Sequence, residues 1–225
     1  MITIKNNTED WNKLFHGKEK ELFQEQPIPI DHIYLAGDAT ALLDESRKRI
    51  LIIGTRDLKL TNYDYINQIV RQLSLSEAKP VIISGLALGT DTLVHSYALE
   101  YGLPTISVMA TGLDQIYPFQ NKKLAKQIKE TPGCALLTQY DEKTAPTAFN
   151  FIQRTMTMTL MSDIAIIPFC KKKGATKLAA RWMNSLDRPV YALPGRMDDI
   201  NSEGCNELIS EGIAKLLTKN ELDTL

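Results

Sequence analysis

From residue 49 onward, short runs of β-branched and aliphatic residues alternate with longer amphipathic stretches, the pattern of parallel strands joined by covering helices. Six such runs stand out: Arg49–Gly54, Pro80–Ser84, Pro104–Ala110, Ala135–Tyr140, Asp163–Phe169 and Pro189–Pro194. Several are apolar at nearly every position rather than at every second one, as strands buried on both faces must be. The expected fold is therefore α/β, built on a doubly wound, mainly parallel sheet. The intervening stretches predict helices over Tyr63–Leu75, Thr92–Tyr101, Asn121–Glu130, Phe149–Met161 and Thr176–Leu186, with a last one over Asn206–Leu217. In the second of these, Leu93, Val94, Tyr97, Ala98 and Tyr101 fall on one stripe, and Asp91 stands where an N-cap residue would.

With 225 residues, 44% of them hydrophobic and 24% charged, the chain suffices for one large globular domain. Residues 1–30 are more polar and contain the Pro27-Ile28-Pro29 break, so they read as an N-terminal extension before a core domain of residues 31–225. No run approaches the ~20 apolar residues that cross a bilayer, and the N-terminus lacks a signal peptide's apolar stretch. The expectation is a cytoplasmic protein with no membrane partner. Cys134, Cys170 and Cys205 are isolated and odd in number, which fits neither a disulfide framework nor a metal knuckle. A formal net charge of -1 argues against a protein that coats duplex DNA by bulk charge and leaves only local basic sites. One candidate is Lys171, Lys172 and Lys173, followed by Lys177 and Arg181; a second group, Lys122, Lys123, Lys126 and Lys129, reads as a solvated helix face.

In a doubly wound sheet, ligands bind beyond the carboxyl ends of the strands. Gly54-Thr55-Arg56 follows the first run, where glycine admits a ligand to the backbone and arginine supplies a fork for phosphate. Ser84-Gly85-Leu86-Ala87-Leu88-Gly89-Thr90-Asp91 joins a strand to a helix and could cradle an anion on backbone N–H groups, or form a tight turn capped by Asp91. Its spacing matches neither the P-loop nor the dinucleotide fingerprint. Arg154 lies among Thr, Met and Leu, and needs either an oxyanion ligand or a protein carboxylate. Met156, Met158 and Met161 read as core filler.

Catalytic constellations are poor. His16 and His32 precede the main fold, and His95 stands one turn after Asp91, where a carboxylate could hold the helix histidine. No serine sits in a nucleophile elbow, no cysteine has an evident histidine partner, and no metal-ligand spacing occurs, so neither a catalytic residue nor a cofactor is expected.

Taken together, these segments resemble the DNA-processing protein A (DprA/Smf) family. The resemblance rests on Ile33-Tyr34-Leu35-Ala36-Gly37, on Gly54-Thr55-Arg56, and on Ser84-Gly85-Leu86-Ala87 with Gly89, Asp91 and His95. It continues through Gly112-Leu113-Asp114, Tyr117-Pro118 and Asn121, then Phe151 and Arg154, then Pro194-Gly195 and Gly204-Cys205-Asn206-Glu207-Leu208-Ile209 with Gly212. Such a resemblance implies an extended Rossmann-like core that binds single-stranded DNA, helps load a RecA-type recombinase and forms a homodimer. The phosphate-binding residues it implies are Gly54, Thr55, Arg56, Ser84, Gly85, Leu86, Gly89, Arg154, Lys171, Lys172, Lys173 and Gly174.

Two departures bear on that site. Met156 stands where the family's second arginine would, and Lys171-Lys172-Lys173-Gly174-Ala175 replaces a Ser-Gly-Ser turn. The resemblance implies the Rossmann-like core without the winged-helix domain or the full N-terminal helical module that many relatives carry. A second reading is a sensor of a nucleotide or nucleotide derivative. A third, a nucleotide phosphoribohydrolase, lacks a carboxylate on Ala175–Leu186 to perform the chemistry. Substitution of Arg154 by Ala is expected to weaken DNA binding with folding retained.

Overall fold

The structure is a computed structural model that describes residues 2–6, 8–15 and 30–225. His16 and the Pro27-Ile28-Pro29 break lie outside the described residues. The strands are β1 (Ile2–Lys5), β2 (His32–Gly37), β3 (Arg49–Ile52), β4 (Val81–Ser84), β5 (Thr105–Val108), β6 (Ala135–Thr138), β7 (Ile164–Ile167), β8 (Val190–Ala192) and β9 (Lys215–Leu216). They form one nine-stranded sheet in the order β1-β2-β6-β5-β4-β3-β7-β8-β9. All pairings from β6 to β9 are parallel; β1 with β2 and β2 with β6 are antiparallel. All six strands expected from the sequence are present, each trimmed at one or both ends.

The helices are α1 (Glu9–Phe15), α2 (Thr40–Leu43), α3 (Leu60–Ser74), α4 (Thr90–Glu100), α5 (Lys122–Glu130), α6 (Ala148–Met161), α7 (Ala175–Ser185), α8 (Glu203–Ser210) and α9 (Lys219–Thr224). None is long and apolar enough to cross a membrane, among the described residues. Side chains alternate between faces along β3, so Ile50 and Ile52 join Ile66 and Val70 of α3 and Val94 of α4, while Leu51 and Ile53 join Met158 of α6 and Met183 of α7. Every residue of β3 through β7 is buried, which is the doubly wound arrangement.

The leading segment is joined to the same sheet and core. Trp11, Leu14 and Phe15 are buried in the larger apolar cluster, and the buried guanidinium of Arg49 donates from Nη1 to the Leu14 carbonyl at 2.9 Å. The last expected helix, Asn206–Leu217, ends early. Gly212 adopts φ 72°, the Ile213 N–H turns back to Leu208 O at 3.0 Å, and Lys215 and Leu216 pair with β8 instead. The apolar spacing there continues past a left-handed C-terminal glycine that the backbone cannot follow as helix.

Helix α6 is buried from Gln153 to Met161 although more than half of that stretch is polar. Its threonines satisfy themselves: Thr155, Thr157 and Thr159 donate to the carbonyls of Phe151, Gln153 and Thr155. Met156, Met158 and Met161 fill the core, as expected. Beyond the helix, Arg188 Nη1 donates to Thr159 O, Leu160 O and Ser162 O at 2.7, 2.8 and 2.6 Å. A cation thus closes carbonyls that a buried helix end would leave without donors. Replacing Arg188 by Leu is expected to lower the unfolding free energy by about 2–4 kcal/mol, read from the denaturant midpoint.

Candidate functional site

The strand order reverses about β3, with β4 on one side and β7 on the other, so the crevice beyond β3 and β7 is the switch point at which doubly wound sheets bind ligands. A cavity of about 300 Å³ lies there. The turn after β3 forms one wall, the turn after β7 and the start of α7 form another, and Arg154 with Asp91 forms the back.

Backbone stitching fixes these turns. Thr55 N donates to Phe169 O at 3.0 Å, and Thr90 N and Oγ1 both donate to Thr55 O, at 3.1 and 3.0 Å. A Cβ on Gly54 would stand 2.6 Å from Thr90 Oγ1 and 2.7 Å from Phe169 O, so only glycine permits this approach. Arg56 projects from the stitched turn into solvent, its guanidinium 5.1 Å from the Phe151 ring centroid. Across the cavity, Gly174 at φ 146° leads into α7, placing Gly174, Ala175 and Thr176 on the wall at a helix N-terminus.

Arg154 is 6% exposed, with Nη1 donating to Val108 O at 3.0 Å and Nε buried without a hydrogen-bond partner. Asp91 is the carboxylate beside it: a Cβ built on Gly85 would fall 1.7 Å from Arg154 Nη1 and 2.5 Å from Asp91 Oδ2. Burial pushes the Asp91 carboxyl above the usual carboxylate range, against the pull of the Arg154 guanidinium. Of the two partners considered for Arg154, a protein carboxylate lies close enough to act on it electrostatically, while its direct hydrogen bond goes to the Val108 carbonyl. Asp91 is not the N-cap; Gly89 is, and Asp91 sits in the first turn, accepting from Ala87 N at 3.2 Å. A carboxylate already occupies the positive end of α4.

This arrangement sorts the residues expected at the site. Gly54, Thr55, Arg56, Arg154, Lys171, Lys173 and Gly174 converge on the cavity. Ser84 does not, being fully buried with its Oγ donating to Ile52 O at 2.7 Å. Gly85 and Leu86 are packed behind Arg154 and under Asn121, whose Nδ2 donates to Leu86 O at 2.7 Å. Gly89 is pressed against the Arg56 backbone, where a Cβ would meet Arg56 O at 2.5 Å. Lys172 turns away to Glu207 at 3.0 Å, and Lys171 is shared with Asp57 at 2.5 Å. Sequence reasoning left Thr176 and the start of α7 out of the cavity wall, although a glycine directly before a periodic stretch is the signal for them.

His95 makes no hydrogen bond to Asp91. Its Nδ1 meets Thr105 Oγ1 at 2.7 Å, and Nε2 is buried without a hydrogen-bond partner. Burial pulls its pKa from 6.5 down to about 3. Between those values the unfolded chain binds the proton and the folded chain does not, so stability present above pH 6.5 declines as pH falls toward 3. A His95→Gln variant is expected to flatten that stretch of a denaturant-midpoint profile. Gly85→Ala, by contrast, should destabilise at every pH by about 1–3 kcal/mol, because the new methyl displaces Arg154.

Residues 11–223 match the family described as DNA recombination-mediator protein A. DNA processing protein DprA of Streptococcus pneumoniae is 32% identical over 173 residues, covering 77% of this chain and 59% of its own length. The Bacillus subtilis DprA is 28% identical over 190 residues, covering 84% and 62%. This chain thus spans about three-fifths of the length of those two relatives. Among solved structures, DNA processing protein A from Helicobacter pylori, described for its single-stranded DNA binding mode, superposes with a TM-score of 0.81 at 28% identity, covering 99% of this chain and 94% of its own. The S. pneumoniae structure gives 0.83 at 25% identity, covering 98% and 72%. The fold, the order of its motifs and these matches together place the chain in the DprA/Smf family of DNA processing proteins.

Proposed function

We propose that this chain binds single-stranded DNA through its sugar-phosphate backbone and performs no catalysis. The observation that carries the reading is the cavity itself, where Arg56, Lys173 and the N-terminus of α7 converge in front of Arg154 and beside the Phe151 ring. A phosphate there meets a guanidinium fork, an ammonium and helix N–H groups, and a base leaving the cavity meets an aromatic face. The side chains at hand are poor catalysts. Asp57 is engaged by Lys171, Asp91 is buried against Arg154, and burial pushes the Cys170 thiol up to about 12, so no thiolate is available.

Membership in the DprA/Smf family and the single-stranded DNA binding of the H. pylori protein support extending the role to recombination or DNA uptake. In that role a cytoplasmic homodimer holds one strand at two cavities and assists loading of a RecA-type recombinase. Two linked cavities raise the effective concentration of the second contact.

Fluorescence anisotropy of a labelled single-stranded oligonucleotide tests the reading, with duplex DNA and mononucleotides as competitors. Tight binding that weakens with salt and resists mononucleotides is expected; mononucleotide-induced thermal stabilisation without DNA binding would instead mark a nucleotide sensor. Arg56→Ala should cost about tenfold in affinity at unchanged melting temperature, since Arg56 is an exposed phosphate partner. Arg154→Ala is not the clean test that the sequence pointed to, because it strands the buried Asp91 and should lower stability together with binding.

A further inference from the structure

A second concavity, a groove against α5, lies at the end of the segment that carries Tyr117 and Phe119. The Tyr117 ring lies 5.8 Å from that of Phe151, and Tyr117 is 47% exposed. Phe119 follows at 75% exposure, with the Lys122 ammonium 5.6 Å from its ring centroid. The groove holds about 680 Å³ between an apolar floor of Leu113, Ile116 and Leu136 and a wall of Lys122, Lys123, Lys126 and Lys129 from α5.

These lysines are more than the solvated face that their sequence pattern indicates. Lys122, Lys126 and Lys129 recur at helical spacing along one stripe, with Lys123 a neighbour of Lys126. A solvated helix face normally mixes charges. Here a single acidic partner, Glu130, pairs with Lys126 at 3.9 Å, and no other ion pair involves these lysines among the described residues. Like charges one turn apart weaken a helix by a few tenths of a kcal/mol per pair unless a polyanion neutralises them. The buried side of α5, formed by Leu124, Ala125 and Ile128, holds the helix in place regardless.

We propose that the single strand leaving the cavity continues over Phe151, Tyr117 and Phe119 and along the lysine face of α5, bases against rings and phosphates against ammonium groups. The inference rests on the DNA reading above and adds to it a direction and a length. Three rings in series begin at the anion cavity and end at the lysine wall, an order that a strand uses in full and that a peptide seated only in the groove does not. Lysines contact phosphate as point charges without bidentate geometry, which suits a contact that reads no sequence.

The test uses the full chain and two labelled oligothymidylates, one of about five nucleotides and one of about twenty, spanning the usual range of site sizes. The triple variant Lys123→Glu/Lys126→Glu/Lys129→Glu is compared with the unsubstituted chain at two salt concentrations, its folding checked by circular dichroism and thermal melting. A milder Lys→Gln triple serves if the reversal perturbs folding. The expected result is a loss of at least about tenfold for the longer oligonucleotide, a salt slope smaller by about 2, and affinity for the shorter one within about twofold. Phe119→Ala should weaken only the longer oligonucleotide, by several-fold. Equal affinities in variant and parent for both lengths would overturn the track. An acidic peptide that binds the parent and not the variant, with DNA binding unchanged, would assign the groove to a protein partner and overturn it as well. If neither oligonucleotide binds the unsubstituted chain, the cavity reading has failed, not only its extension.

Discussion

Arg154 carries a charge into a place that little water reaches, and three loops are shaped around the means of keeping it there. Asp91 stands beside it, the Val108 carbonyl accepts from it, and Gly85 leaves out the side chain that would otherwise fill its position. An uncompensated buried charge costs several kcal/mol, so removing either member of the pair leaves the other in a poor environment. The loops after β3, β4 and β5 are therefore set with respect to one another before any ligand arrives. With these loops held, Arg56 needs only its own rotamer to reach an anion, which limits the entropy lost on binding.

The same arrangement separates the residues that hold the site from those that face it. Ser84, Gly85, Leu86 and Gly89 look from the sequence like an anion cradle, because a glycine-rich turn at a helix start is what such cradles are made of. A tight turn closed by Asp91 is the other reading of the same residues; what their spacing does not reveal is that Arg154 lies over Gly85. The position of Arg154 depends on α6 packing across β3 and β5, a long-range placement with no local signature. The β3 turn and the lysine-rich turn were legible for the opposite reason, since each lies directly at a strand end that periodicity locates.

The fold was read more completely than the site. Uniformly apolar runs mark the interior strands because a strand covered on both faces admits little else. The edges escaped: β1 has one buried position in four and β9 none, so neither carries a pattern that burial would impose. The C-terminal stretch was read as helix through Leu217 because apolar spacing alone does not register the reversal at Gly212. Asp91 and His95 share a helix face as spacing predicts, yet the histidine turns to Thr105, a strand residue that helical geometry cannot bring into view.

The edge strands have a consequence for how the chain comes together as it leaves the ribosome. β2 lies between β1 and β6, so its inner edge stays without a partner until residues Ala135–Thr138 have been made. Until then Trp11, Leu14 and Phe15 have no finished surface to cover, although they are made well before the segments that complete it. The chain thus closes its sheet by a late pairing of early and middle segments, a contact of high sequence separation that is slow to form. During that interval the apolar side of α1 is the surface most in need of shielding from other nascent chains.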